Sequence, residues 1–307
     1  MTWRKLGHVF SPDGTRPWMR THAANPFAER LAKNQFRIYF TARDDNSRSH
    51  VSFVDVEMEN DKLHVYNVAT EPVLAPGERG LFDDSGVTGC CLLTRGNERY
   101  LYYLGWNLGV TVPYRNAIGL AKWSERDERF IKHGNAPVID RSETDPFSIS
   151  YPFVLQMQNG LVMWYGSNLK WGEKHDDMNF VIKTATSDDG ISWKRENHVA
   201  IRHEHENEYA IARPHVLYEN GVYKMWYSFR GNGLVNTYRI GYAESYDGFL
   251  WQRKDGEAGI DVSKEGWDAD MICYPFIFDH QEKRYMLYNG NGYGKSGFGL
   301  AIRDDTA

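Results

Sequence analysis

The chain has 307 residues, a formal net charge of −5 and three cysteines. This mild acidity argues against a nucleic-acid footprint or attraction to an anionic membrane surface, and no apolar run reaches the roughly 18 residues that a membrane helix needs. Cys90, Cys91 and Cys273 have no metal-ligand spacing and are odd in number, so they read as reduced core thiols.

In chain order, Trp3–Phe10 is a first candidate strand, and no apolar signal region precedes or overlaps it, so the expected location is cytoplasmic. An Asn25-Pro26-Phe27 segment follows, then FRIYFTARD around Phe40 and the weaker HVSFVDVE at His50–Glu57. The same order returns with TGCCLL (Thr88–Leu93), RYLYYLGW around Tyr103 and NAIGLAKW (Asn116–Trp123). It returns again with SYPFVL, LVMWYGS around Tyr165 and FVIKTATS, then with ARPHVL, YKMWYSFR around Tyr227 and YRIGYAES. The last round is CYPFIF, RYMLYNG around Tyr288 and SGFGLAIR (Ser296–Arg303).

The aromatic runs are too short for helices and suit buried strands. Their anchors recur at spacings of 63, 62, 62 and 61 residues, and Pro152, Pro214 and Pro275 keep the same step. Asn-Gly and Asp-Gly pairs between the runs, including SDDGISW and SYDGFLW, supply the positive φ of tight hairpins. A fixed period of this kind marks a repeat architecture. The economical solution is an all-β, five-bladed β-propeller of mostly four antiparallel strands per blade, a single domain spanning 1–307. Trp3–Phe10 would supply the outermost strand of the last blade and close the ring.

In such a fold a ligand site draws residues from every blade near the inner strands. Blade one offers His22, Asn25, Arg43 and Asp44; blade two offers Asp84, Trp106 and Arg115. Tyr151 comes from blade three, Glu208 and Arg213 from blade four, and Asp270, Tyr274 and Asn291 from blade five. Asp83, Asp145 and Asp268 recur at one place in the repeat, which favours a structural role. Asp44, Asp84 and Glu208 stand outside the repeat, and they are the candidate acid/base set for glycosyl transfer, in which one carboxylic acid protonates the leaving oxygen and a second group activates water or attacks. The other ten form the candidate sugar-binding set. Arginines suit a carboxylate or phosphate, so the expected partner is a sugar or oligosaccharide, acidic or phosphorylated. No motif demands a cofactor, although an axial divalent cation is compatible with the architecture. A non-catalytic propeller that binds a glycan or a protein partner is the alternative.

The blade count, the SxDGxxW turns and the strand phrases resemble the five-bladed propeller glycosidases, the broad group of glycoside hydrolase families 43, 32, 68, 117 and 130. That resemblance implies glycosidic-bond chemistry in a central funnel. Where family 43 carries an Asp before proline and a Glu shortly before a Pro-His pair, this chain reads Asn25-Pro26 and Ala212-Arg213-Pro214-His215. Asn25-Pro26-Phe27 followed by IYFTARD is similar to the opening of family 130, whose Glu-Asp-Pro-Arg motif is replaced here by TGCC. FDDSG, YRIGYAES, GWDADMICYP and YNGNGYGKSGFG resemble propeller proteins of bacterial surface-polysaccharide gene clusters, which implies a role in polysaccharide metabolism.

Overall fold

The structure, a computed structural model, describes residues 1–173, 177–231 and 236–304. Its strands form three sheets, one of four strands and two of eight, and each eight-stranded sheet is two antiparallel units of four joined by a single parallel bridge. The first unit holds β2 (Thr21–Arg30), β3 (Gln35–Arg43), β4 (Ser49–Glu59) and β5 (Lys62–Val68). The second holds β6 (Gly86–Arg95), β7 (Glu98–Leu108), β8 (Tyr114–Ser124) and β9 (Arg129–Lys132). The third holds β10 (Ile149–Met157), β11 (Gly160–Trp171), β12 (Met178–Ser187) and β13 (Val199–Ile201). The fourth holds β14 (Ala210–Glu219), β15 (Val222–Arg230), β16 (Arg239–Ser245) and β17 (Gln252–Arg253). The fifth joins β18 (Cys273–His280), β19 (Lys283–Asn289) and β20 (Phe298–Asp304) to β1 (Thr2–Phe10), which pairs antiparallel with β20.

Neighbouring units touch through their first strands: β2 meets β6, β6 meets β10, β10 meets β14, β14 meets β18, and β18 returns to β2. Single parallel bridges, Ser49 to Gly86 and Phe180 to Ala210, link two of the pairs of units. Gly86 is required at its bridge. Its φ is 156°, and a Cβ there would lie 2.2 Å from Ser49 Oγ and 2.4 Å from Trp106 Nε1.

The aligned prolines have a specific consequence. In the first strands of four units the ladder slips at the proline, between Ala24 and Phe27, Ser150 and Phe153, Ala212 and His215, and Cys273 and Phe276. Proline has no N–H to give the ladder, so a bulge forms there. The preceding residue takes a left-handed backbone: Asn25 at φ 54°, Tyr151 at 44°, Arg213 at 57° and Tyr274 at 57°. Such φ values are costly for large side chains and collect at functional sites.

Asp83, Asp145 and Asp268 are buried and play one part. Each accepts the hydroxyl of the anchor tyrosine 20 residues later: Tyr103 at 3.0 Å, Tyr165 at 2.9 Å and Tyr288 at 3.0 Å. Each also meets a lysine, Lys132 at 2.6 Å, Lys183 at 3.1 Å and Lys5 at 2.7 Å. The structure thus makes the repeated aspartates internal braces. The SxDGxxW segments are braces as well, since Trp193 and Trp251 return their indole N–H to Gly190 and Gly248 carbonyls.

Candidate functional site

A cavity of about 630 Å³ opens where the five units meet, and residues from all five line it. The bulges aim the first strands into it. His22, Asn25, Tyr151, Ala212 and Tyr274 come from those strands, and Arg43 and Arg230 come from the last position of β3 and β15. Trp106, Tyr114, Tyr238 and Tyr293 complete an aromatic wall, with Ser49, Thr88 and Ser150 among the polar groups. Among the described residues that line the cavity there is no Asp or Glu.

The two arginines are held differently. Arg230 Nη1 donates to the Tyr293 hydroxyl at 2.6 Å, and its guanidinium lies 4.9 Å from the Tyr209 ring centre and 4.8 Å from that of Tyr238. These aromatic faces stabilise the cation and fix its plane. Arg43 stands beside His22, whose imidazole is lowered to about 4 by burial, then by the charges of Arg43 and Lys295. His22 is therefore neutral at pH 7, in a wall that carries positive charge and, among the described residues, no carboxylate. Trp106 is pinned by its indole N–H, which donates to Ser49 Oγ at 2.8 Å across the boundary between the first two units. Tyr151 and Tyr274 lie with ring centres 5.5 Å apart and hydroxyls 3.5 Å apart on the inner wall. The Asn25 N–H donates to Asn289 Oδ1 at 2.7 Å, so the last unit fixes the first at this point.

Of the thirteen residues expected from sequence, His22, Asn25, Arg43, Trp106, Tyr151 and Tyr274 line the cavity. The structure places the other seven elsewhere. Asp44 closes a tight loop by accepting backbone N–H groups of Asn46 and Arg48, the Arg48 side chain at 3.0 Å and His50 at 3.3 Å. Asp84 accepts the Gly80 N–H, the Ser85 hydroxyl and the Asn107 amide. Glu208 is clamped by Arg253 through two contacts of 2.7 Å and accepts the Glu204 N–H. Burial works against the charge of all three carboxylates, but these hydrogen bonds hold each below its usual range. The three are not brought together at the cavity, because a short loop, a turn and an ion pair have already taken their oxygens.

Asn291 Oδ1 accepts the N–H groups of Asp270 and Met271, and exposed Asp270 gives its carbonyl to Thr237 and Arg239. Both shape the loop before β18 rather than the cavity. Arg115 is exposed on β8 and does not line the cavity. Arg213 is fully buried on β14, next to the lining residue Ala212. Among the described residues, no three or more His, Cys, Asp or Glu side chains gather as metal ligands, and His203 Nε2 donates to the Phe180 carbonyl on β12 at 2.9 Å. The cavity also takes Tyr114, Tyr238 and Tyr293, which the sequence did not single out, and Arg230, which the sequence paired with Arg43 as alternatives for site and scaffold. The signal for Arg230 was present, because it holds the same place in its repeat as Arg43.

Comparison with known proteins agrees on the fold. No family model matches the chain. A solved glycoside hydrolase superposes with a TM-score of 0.75 at 17% identity, covering 97% of this chain and 90% of that one. A structure reported with the family 130 mannoside phosphorylases and hydrolases superposes at 0.67, with 15% identity, over 99% and 94% of the two chains. A thermostable family 43 glycoside hydrolase superposes at 0.66, with 15% identity, over 95% and 93%. These likenesses show that the chain shares its all-β fold with those solved structures. In sequence, the chain is 45% identical over 305 residues to the uncharacterised protein Rv1502 of Mycobacterium tuberculosis, covering 99% of this chain and all of that one. The chain belongs to the Rv1502 family.

Proposed function

We propose that the protein is a closed five-bladed β-propeller that binds an acidic or phosphorylated saccharide in its central cavity. The cyclic contacts of the five first strands and the seating of β1 on β20 support the ring. The observation that carries the ligand is the lining itself: Arg43 and Arg230, a neutral His22, and a wall of Trp106 and five tyrosines, without a described carboxylate. Aromatic faces take the C–H faces of sugar rings, and guanidinium groups take a carboxylate or phosphate in paired hydrogen bonds. The positions that family 43 would fill with acids are Asn25 and Ala212, and both line this cavity. A role in bacterial surface-polysaccharide metabolism fits the motifs that resemble proteins of those gene clusters.

The shared fold favours a second reading, in which the same cavity cleaves or transfers a glycosidic bond. Departure of the leaving oxygen then needs a proton, and the described lining offers His22 and tyrosine hydroxyls in place of a carboxyl pair. Isothermal calorimetry with uronate-bearing and neutral oligosaccharides tests the binding reading, and product analysis of the same mixtures with and without phosphate tests the catalytic one. Binding of the acidic sugars without products supports the first. Products that depend on His22 support the second.

A further inference from the structure

Arg213 carries the strongest unexplained observation in the molecule. Its side chain has no solvent exposure, and among the described residues none of its Nε, Nη1 and Nη2 atoms finds a hydrogen-bond partner. The groups that act on its charge are Cys90, Cys91, Tyr151 and Tyr274, none of which is a carboxylate. Burial holds both thiols protonated, Cys90 raised to about 12 and Cys91 to about 11, so neither supplies a counter-charge. An uncompensated buried cation is strongly unfavourable unless an anion or a set of acceptors meets it.

Two further facts relate Arg213 to the cavity. Tyr151 and Tyr274 act on its charge and also line the cavity, and Arg213 directly follows the lining residue Ala212 on β14. Both have left-handed backbones, as Arg213 does, and they meet through rings 5.5 Å apart and a long hydroxyl contact of 3.5 Å. Strained backbone of this kind clusters at ligand clamps and switch regions.

We infer that Arg213 is an anion receptor at the inner end of the cavity, where a small oxyanion docks on its guanidinium once the Tyr151 and Tyr274 rings part. The oxyanion is a carboxylate or phosphate, either carried by the bound saccharide or free in solution. The saccharide source rests on the function proposed above; the free anion does not.

Thermal unfolding at constant ionic strength tests this, with inorganic phosphate and glucuronate as probes, on the wild type, Arg213→Met and Arg230→Gln. The expected result is a wild-type Tm that rises with the logarithm of probe concentration, as binding to the folded state requires. Arg213→Met should show a flat Tm and, in anion-poor buffer, at least wild-type stability. Arg230→Gln should weaken the response to phosphate without abolishing it, because Arg213 is still present. A response to both probes marks a free-anion site, and a response to glucuronate alone marks a sugar-borne one. No wild-type response to either probe, or a response that survives in Arg213→Met, overturns the inference. A phosphate response lost in Arg230→Gln but kept in Arg213→Met overturns it too, while leaving the cavity's ligand class intact. Should Arg213→Met fail to fold, anomalous diffraction from wild-type crystals soaked in selenate decides. Selenate within hydrogen-bond distance of Arg213 supports the site, and selenate confined to the outer cavity or absent overturns it.

Discussion

Arg253 holds both carboxylate oxygens of Glu208 at 2.7 Å, and neither side chain is more than 3% exposed. The same guanidinium reaches Asp255, which accepts the Tyr227 hydroxyl at 2.5 Å. In the second, third and fifth units one aspartate takes the anchor tyrosine and the cation together, whereas the fourth divides that work between Asp255 and Glu208. Glu208 therefore stands outside the repeat because the brace has been rebuilt.

Glu208→Gln should accordingly act on stability. Removing one partner of a buried ion pair costs about 3–5 kcal/mol, and a urea titration should show the loss. Affinity of the folded variant for an acidic saccharide should stay within about twofold of wild type.

Asp145→Asn should behave similarly. Asp145 meets Lys183 at 3.1 Å and Arg195 at 3.0 Å while accepting Tyr165 and Ser167 hydroxyls. Loss of the charge leaves buried Lys183 and half-buried Arg195 short of a partner, at a cost of roughly 3 kcal/mol. Exposed Asp270→Asn should change stability by less than about 0.5 kcal/mol, and the two denaturation midpoints compare them directly.

Much of this was legible in the sequence. The period, the prolines and the Asp-Gly turns express local backbone chemistry, so the strand order and the structural role of Asp83, Asp145 and Asp268 could be read from them. Asn25, Tyr151 and Tyr274 were legible because a residue before an aligned proline marks a bulge on the inner strand. The fate of Asp44, Asp84 and Glu208 was not, because it depends on donors set by folding. Loop N–H groups hold the first two, and an arginine 45 residues away holds the third. A carboxylate outside a repeat pattern has the same letter whether it faces a ligand or an arginine.

Arg230→Gln should weaken binding with little effect on folding. A charge-assisted hydrogen bond contributes roughly 1.5–3 kcal/mol, which corresponds to about ten- to a hundredfold in Kd. Calorimetry should show that loss for an acidic saccharide. The remaining affinity should depend less on salt than that of the wild type, as removal of an exposed-cavity charge requires.

Acid should destabilise the protein through His215, which lies edge-on between Phe153 and Phe276 and is lowered to about 3, first by burial and then by the charge of Arg213. Below its ordinary value of 6.5 the unfolded chain binds a proton that the folded chain refuses, so stability falls as pH drops from about 6.5 and is unaffected above it. The slope approaches about 1.4 kcal/mol per pH unit for this residue. His22, lowered to about 4, adds in the same direction. Between pH 6.5 and 5, His215→Phe should show the shallower decline of denaturation midpoint.

A cavity with arginines, aromatic rings and no described carboxylate should select an anionic sugar over a neutral one. The most direct test of this selectivity is a calorimetric comparison of two oligosaccharides that differ only in a terminal glucuronate or glucose. The account predicts saturable binding of the glucuronate form, at least tenfold tighter than the glucose form and weakened by salt. Equal or tighter binding of the neutral sugar would contradict it.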